Sequence, residues 1–226
     1  MTAVQVETWD DCEGEMSMEE GHGPSWEAFI NHLAEDSFEG KSLLDFGCNR
    51  GGFLRALYKR KPFAKALGVD IALDSVQDAE ARKGNIPAEY KHNDALADYK
   101  GAFDFAFSHE VVYLIPDLKT HAQEIYDALK PGGVYYVAIG EYTDNPLWER
   151  WYKTVSEFSP VAPQNYSLQD MAEAFGESGF DVSVRRMVCD GFLPYDYTDK
   201  KYLLSPMELV QFMTEYMMLF RLEKRA

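Results

Sequence analysis

Between Ser42 and Ile139 the chain alternates short apolar runs with stretches of helical periodicity, and that alternation restricts the fold more than any other feature. Ser42–Phe46, Ala66–Val69, Ala88–Lys91, Phe103–Ser108 and Val134–Ile139 have the length and composition of buried strands. Between them lie Gly52–Arg60, with Phe53, Leu54, Leu57 and Tyr58 on one face, then Ser75–Lys83 and Leu118–Leu129, the last stopped by Pro131-Gly132-Gly133. Strands separated by helices of this length pair in parallel through right-handed crossovers, with helices on both faces. Phe180–Val188 reads as a sixth strand. Tyr216–Glu223 fits either a helix continuing from Pro206–Met213 or a seventh strand beside the sixth, and the strand is preferred. The expectation is therefore an α/β doubly wound seven-stranded sheet, mostly parallel with an antiparallel last strand. Further helices are predicted near Trp26–Leu33, over Asn145–Phe158 and from a Ser167 cap to Glu177.

A chain of 226 residues, 46% apolar and 27% charged, suits one such domain. Its start is acidic and lacks the basic-then-apolar layout of a signal peptide, and apolar runs stay short of a membrane span. A cytoplasmic protein without membrane contact is the expectation, with a homodimer admitted. Residues 1–22 read as a flexible lid. Cys12, Cys48 and Cys189 lie far apart without a CxxC, so neither a disulfide nor a zinc site is expected. A net charge of −16 argues against nucleic acid, whose backbone needs a cationic surface. Of the cations Arg55, Lys59, Arg60, Lys61 and Lys65, four fit the back of a solvated helix and its exit loop. A small-molecule partner is favoured.

In an open parallel sheet, ligands bind beyond the carboxyl ends of the strands. The first strand ends there in DFGCNRGG. Gly47 can take backbone angles closed to side chains, while Gly51 and Gly52 let a helix begin close to a ligand with its amides free. The turn departs from G-x-G-x-x-G and lacks the lysine of a phosphate loop. Asp70 ends the second strand, where a carboxylate can accept both hydroxyls of an unphosphorylated ribose, and Asp94 follows the third, within reach of an adenine amino group. Acids at three successive strand ends suit a ligand rich in hydroxyls and amines and repel a pyrophosphate.

This combination resembles the small-molecule branch of the class I S-adenosylmethionine-dependent methyltransferases, whose fold is Rossmann-like. LLDFGCNRGGFL is similar to that family's first motif, D-x-G-x-G-x-G. GVDIALDSV, HNDAL, FDFAFSHEVVYLI and LKPGGVYYVAIGE resemble the motifs of the following strands. The resemblance implies S-adenosyl-L-methionine as cofactor, with Asp45 and Gly47 toward its amino end and Asn49 and Gly51 in the turn. It implies Asp70 on the ribose, Ile71 packed on the adenine, Asp94 and Ala95 at the adenine edge, and Ser108 near the methionine through its backbone. Asn49 stands where the family has its middle glycine; asparagine is the side chain that best tolerates left-handed angles. Arg50 could pair with a carboxylate or point to solvent.

Residues 41–140 form the expected cofactor core of a single methyltransferase domain spanning 1–226, with 141–166 and 189–213 as insertions beside the acceptor. The expected reaction is methyl transfer to an oxygen or nitrogen of a small molecule, without a metal. His109, Glu110 and Glu141, after the fourth and fifth strands, are candidates for catalysis, His109 first because a histidine titrates near neutrality. Tyr142 and His22 are further candidates. Other readings that keep the cofactor site are an RNA or protein methyltransferase and a non-catalytic binder. An NAD enzyme is compatible with Asp70 but opposed by the glycine spacing and by Asp94.

Overall fold

The computed structural model describes residues 19, 21–198 and 204–225. Its first helix, α1 (Gly23–His32), carries Pro24 in its first turn and buries Phe29 and Ile30. Then follow β1 (Phe38–Phe46), α2 (Gly52–Arg60), β2 (Phe63–Asp70), α3 (Leu73–Arg82), β3 (Ala88–His92) and β4 (Phe103–His109). The chain continues through α4 (Leu118–Ala128), β5 (Leu129–Ile139), α5 (Trp148–Phe158), α6 (Leu168–Glu177), β6 (Phe180–Arg186), α7 (Pro206–Gln211) and β7 (Met218–Lys224).

The seven strands form one sheet in the order β3-β2-β1-β4-β5-β7-β6. β1 to β5 are parallel, and β7 runs antiparallel to both β5 and β6. The doubly wound sheet with an antiparallel last strand is therefore present. β7 lies beside β6 as expected, and it is inserted between β6 and β5. Strand order reverses between β1 and β4, so the carboxyl ends there open into the crevice where such folds take ligands.

Each face is covered by its own apolar layer. Phe29 and Ile30 of α1, Phe53, Leu54 and Leu57 of α2, and Val76 and Ala79 of α3 pack on one face. Ala122 and Ile125 of α4 with Met171 and Phe175 of α6 pack on the other. Parallel strands covered on both faces bury nearly every side chain, as β2 does from Ala66 to Asp70. Ser167 caps α6 through a reciprocal pair with Asp170, as its sequence position predicts. Of the expected lid over 1–22, only Glu19, Gly21 and His22 fall within the described residues. Among the described residues no helix is long and apolar enough to cross a membrane.

Candidate active site

The β1–α2 turn is held open by three left-handed residues, Gly47 (φ 77°), Asn49 (φ 43°) and Gly51 (φ 75°). Asn49 thus does what the glycine at its position would do. The amides of Gly47 and Cys48 both donate to the Val69 carbonyl, at 2.8 and 3.0 Å, tying the turn to the end of β2. Asp70 completes the tie. Its carboxylate accepts the amides of Asn49 (2.8 Å) and Ala72 (2.9 Å), so it organises two turns at once. Arg50 reaches α3, where its Nε donates to Asp78 at 2.6 Å.

Asp45, behind the turn, is 2% exposed, and its Oδ2 has no hydrogen-bond partner among the described residues. Burial, reinforced by the charge of Asp70, pushes its pKa up to about 8. A buried carboxylate without a donor is costly unless a cation meets it. Ile71 follows Asp70 and is half-buried. Asp94 opens a short 3₁₀ turn after β3, pairs with His92 at 3.1 Å and is largely exposed, with Ala95 half-buried beside it. Since Asp70 and His92 are register partners, Asp94 lies two residues beyond the ribose candidate's partner, just past the end of the neighbouring strand.

The ends of β4 and β5 carry the other predicted residues. Ser108 is fully buried beside Tyr135. His109 bonds Ser25 Oγ of α1 through Nε2 (2.6 Å) and stacks on Phe29. Burial, with His22 next to it, holds its pKa well below the ordinary histidine value. Glu110 takes a left-handed backbone (φ 57°) and does not begin a helix; the next one, α4, starts after an Asp117 cap. Glu141 is 8% exposed, and burial pushes its pKa up to about 7. The Gly140 amide lies 3.4 Å from Glu110 Oε2 and 3.2 Å from Glu141 Oε2, so the two carboxylates meet at one N–H. Glu110 Oε1 is buried without a hydrogen-bond partner among the described residues.

A model of the methyltransferase domain matches residues 18–183. The chain belongs to the class I S-adenosylmethionine-dependent methyltransferase family. It is 28% identical over 214 residues to a sterol 24-C-methyltransferase of Debaryomyces hansenii, covering 88% of this chain and 54% of the relative. It is 34% identical over 119 residues to a 2-methyl-6-phytyl-1,4-hydroquinone methyltransferase of Synechocystis sp., covering 49% and 37%. The chain thus spans about half or less of the length of these curated relatives. Its fold matches a chain of the complex between the Haloferax volcanii methyltransferase activator Trm112 and a methyltransferase, with a TM-score of 0.80, 22% identity and 95% of each chain covered.

The methyltransferase site fits its family's cofactor on the structure's own terms. The unpartnered buried oxygen of Asp45 suits an ammonium, and the turn beside it presents Gly47 and Gly51 in left-handed conformations without side chains of their own. The cations near it are already engaged: Arg50 pairs with Asp78, and Arg55 with Glu19. After the turn, Arg60 pairs with Glu27 and Lys61 donates to the Glu35 carbonyl.

Several residues around this methyltransferase site escape sequence reasoning. Trp26 lies where a side chain at Gly52 would be, Val111 covers Gly47, and Phe212 covers Gly140. Glu19 bridges Arg55 and Arg82, joining the segment before α1 to α2 and α3. Trp26, Glu19 and His22 line a narrow cleft with Cys48, Asn49, Arg50 and Gly52. The glycines were the available signal: each small residue at a strand end marks a place where a distant side chain comes close. Trp148 packs against Tyr113 and Tyr152, with its indole N–H on Asn165.

Proposed function

We propose that this chain transfers the methyl group of S-adenosylmethionine to an oxygen or nitrogen of a small-molecule acceptor, with Glu141 taking the acceptor's proton. The observation that carries the reading is the pair of carboxylates, Glu110 and Glu141, that meet at the Gly140 amide beyond the ends of β4 and β5; burial pushes the pKa of Glu141 up to about 7, which suits a proton acceptor near neutrality. His109 has the weaker claim: a histidine held neutral by burial and bonded to Ser25 is a poorer proton acceptor and acts by positioning α1.

Asp45 and Gly47 would hold the amino end of the cofactor, with Asn49 and Gly51 shaping the turn around it. Asp70 would receive the ribose, Ile71 would pack on the adenine, and Asp94 and Ala95 would meet its edge, while Ser108 lines the methionine side. When bound, the cofactor supplies a methyl carbon already activated by its sulfonium. The protein's share is to align the acceptor, exclude water and receive a proton. Glu141 receives it, Glu110 shares the Gly140 amide and orients the acceptor, and Tyr142 is anchored by its hydroxyl on the Tyr216 carbonyl. The stretches 141–166, 189–198 and 204–213 would wall the acceptor side; residues 199–203 of the expected second insertion lie outside the described residues. Trp151 and Phe212, 5.6 Å apart, supply aromatic surface near Gly140. An apolar, aromatic wall with two carboxylates suits a neutral or cationic acceptor.

The test has two arms. Thermal shifts with S-adenosylmethionine, S-adenosylhomocysteine, NAD and NADP should show stabilisation by the sulfur nucleotides. Stabilisation by NAD alone would overturn the cofactor reading. Release of S-adenosylhomocysteine is then followed against phenols, alcohols, amines and carbon nucleophiles. Turnover confined to carbon acceptors would overturn the oxygen-or-nitrogen reading while leaving the cofactor intact.

A further inference from the structure

β6 is the outermost strand of the sheet next to β7, and its free edge is accessible. Met187 donates to the Met217 carbonyl at 2.8 Å. Along the antiparallel β6–β7 pair the same phase gives Arg185, Ser183 and Asp181 the amides that face β7, and turns those of Val182, Val184 and Arg186 outward. Among the described residues these outward amides have no further hydrogen-bond partner. Asp181, Ser183, Val184, Arg185 and Arg186 are all exposed, Val184 by 56%.

An uncovered edge of this kind is a template for another strand, and proteins commonly blunt it with charged side chains, proline or a bulge. β6 has no proline, its register with β7 runs from Phe180 to Arg186 without a break, and its charges are of both signs, Asp181 with Arg185 and Arg186, so they repel a strand only where like meets like. The residue order selects the occupant. In a two-fold antiparallel pairing, outward amides must meet outward amides, so the axis passes through a residue. With the axis at Ser183, Val182 faces Val184 of the second copy in the bonded pairs. Asp181 then faces Arg185 in the non-bonded pairs, where side chains approach most closely. Moving the axis to Val184 sets Arg185 against Ser183 and Arg186 against Val182; moving it to Val182 sets Asp181 against Ser183. Neither pairs opposite charges.

We propose that β6 pairs antiparallel with β6 of a second copy of this chain about an axis at Ser183, joining the two sheets through paired Val182–Val184 and Asp181–Arg185 contacts. Asp181 also pairs across to Arg225, just past the end of β7 (2.8 Å), with both side chains more than 60% exposed, and this contact uses one carboxylate oxygen and leaves the other for the incoming Arg185. Arg185 and Arg186 against the single acid Asp181 leave β6 net cationic in a chain of net charge −16, which offsets part of the field that would otherwise hold two acidic copies apart. The remaining long-range repulsion is screened at physiological ionic strength.

Sedimentation velocity over a concentration series should show a reversible dimer. Val184→Pro removes an outward amide without touching the β7 ladder, and is expected to give monomer. Arg185→Asp, a surface change that keeps the fold, sets like charges opposite and should weaken association at least about tenfold. The double variant Asp181→Arg, Arg185→Asp restores opposite charges in reversed order and should recover the dimer. A chain that stays monomeric at every concentration overturns the proposal, as does a dimer indifferent to both single variants or a charge swap that fails to recover association.

Discussion

Replacing Asp45 by asparagine removes a carboxylate that the fold buries without a donor, and the consequence can be worked out from its surroundings. In the folded chain burial and the nearby Asp70 raise its pKa from 3.8 to about 8. At about 1.4 kcal/mol per unit, holding it ionised costs on the order of 5 kcal/mol. From about pH 4 to about pH 8 the folded chain keeps a proton here that the unfolded chain releases. Stability from this group is therefore complete below its unfolded pKa, lost as pH rises through the folded value, and level beyond. Asp45→Asn should flatten that slope and leave the cofactor-free protein more heat-stable than wild type at pH 8. Binding acts in the opposite direction. An ammonium placed against Asp45 favours the ionised form, so association below pH 8 expels a proton, and affinity tightens roughly tenfold per pH unit. Isothermal titration with S-adenosylhomocysteine between about pH 6 and pH 7.5, in buffers of different ionisation enthalpy, reads the proton directly. Wild type should release close to one proton, and Asp45→Asn should bind weakly with none. A wild-type affinity that is flat across this range, with no proton release, would refute the assignment of Asp45 to the cofactor's amino end.

Three further perturbations address the turn and the acceptor side. The wild-type kcat should rise with pH through about 7, the value to which burial pushes Glu141, and Glu141→Gln should lower kcat by about 10²- to 10⁴-fold and abolish that rise in a pH–rate series. Asn49→Gly should keep S-adenosylhomocysteine affinity within a few-fold and hold or raise the melting temperature, whereas Asn49→Val, a β-branched residue forced to φ 43°, should cost about 1–2 kcal/mol in chemical denaturation. Gly47→Ala would drive a methyl into the Val111 side chain at a left-handed position, so both stability and cofactor affinity should fall, by about 1–3 kcal/mol in the unfolding curve.

The inner parallel strands are legible in the sequence because strands covered on both faces are largely apolar, and local composition records that; β3, AEYKH at the sheet edge, carries a weaker signal. Their ends are less legible where pairing continues beyond the apolar run. β1 begins at Phe38, ahead of the expected Ser42, and β5 begins at Leu129 because Lys130-Pro131-Gly132-Gly133 passes through a register shift opposite β4 between Phe103 and Phe105. The predicted start of α5 at Asn145 is displaced to Trp148, since the Asn145 side chain is used to bridge the Gly140 carbonyl and the Leu147 amide. The helix over Pro206–Met213 is recovered to Gln211 and then widens into a π turn over Phe212–Tyr216 before β7 begins. An apolar stretch such as YMMLFRLE carries no record of which neighbours it will have, and only the completed sheet puts it between β5 and β6.

The site divides along the same line. Asp45, Asp70 and Glu141 were legible because an acid closing an apolar run is out of place unless something at the strand end uses it. Their roles in the fold were not, because those depend on partners far away in sequence. Asp70 shows the difference: besides its expected place at the ribose, it anchors the amides of Asn49 and Ala72, so Asp70→Ala would loosen the turn as well as the ligand contact. Asp70→Asn keeps one acceptor oxygen for that anchoring and is the cleaner probe of ribose binding. Asn49 resolves in the same way. Its departure from the family's glycine is tolerable because its φ lies in the left-handed region and its own amide is held by Asp70. The turn therefore depends on the pair Asn49–Asp70, and the two positions should fail additivity in a double-mutant cycle.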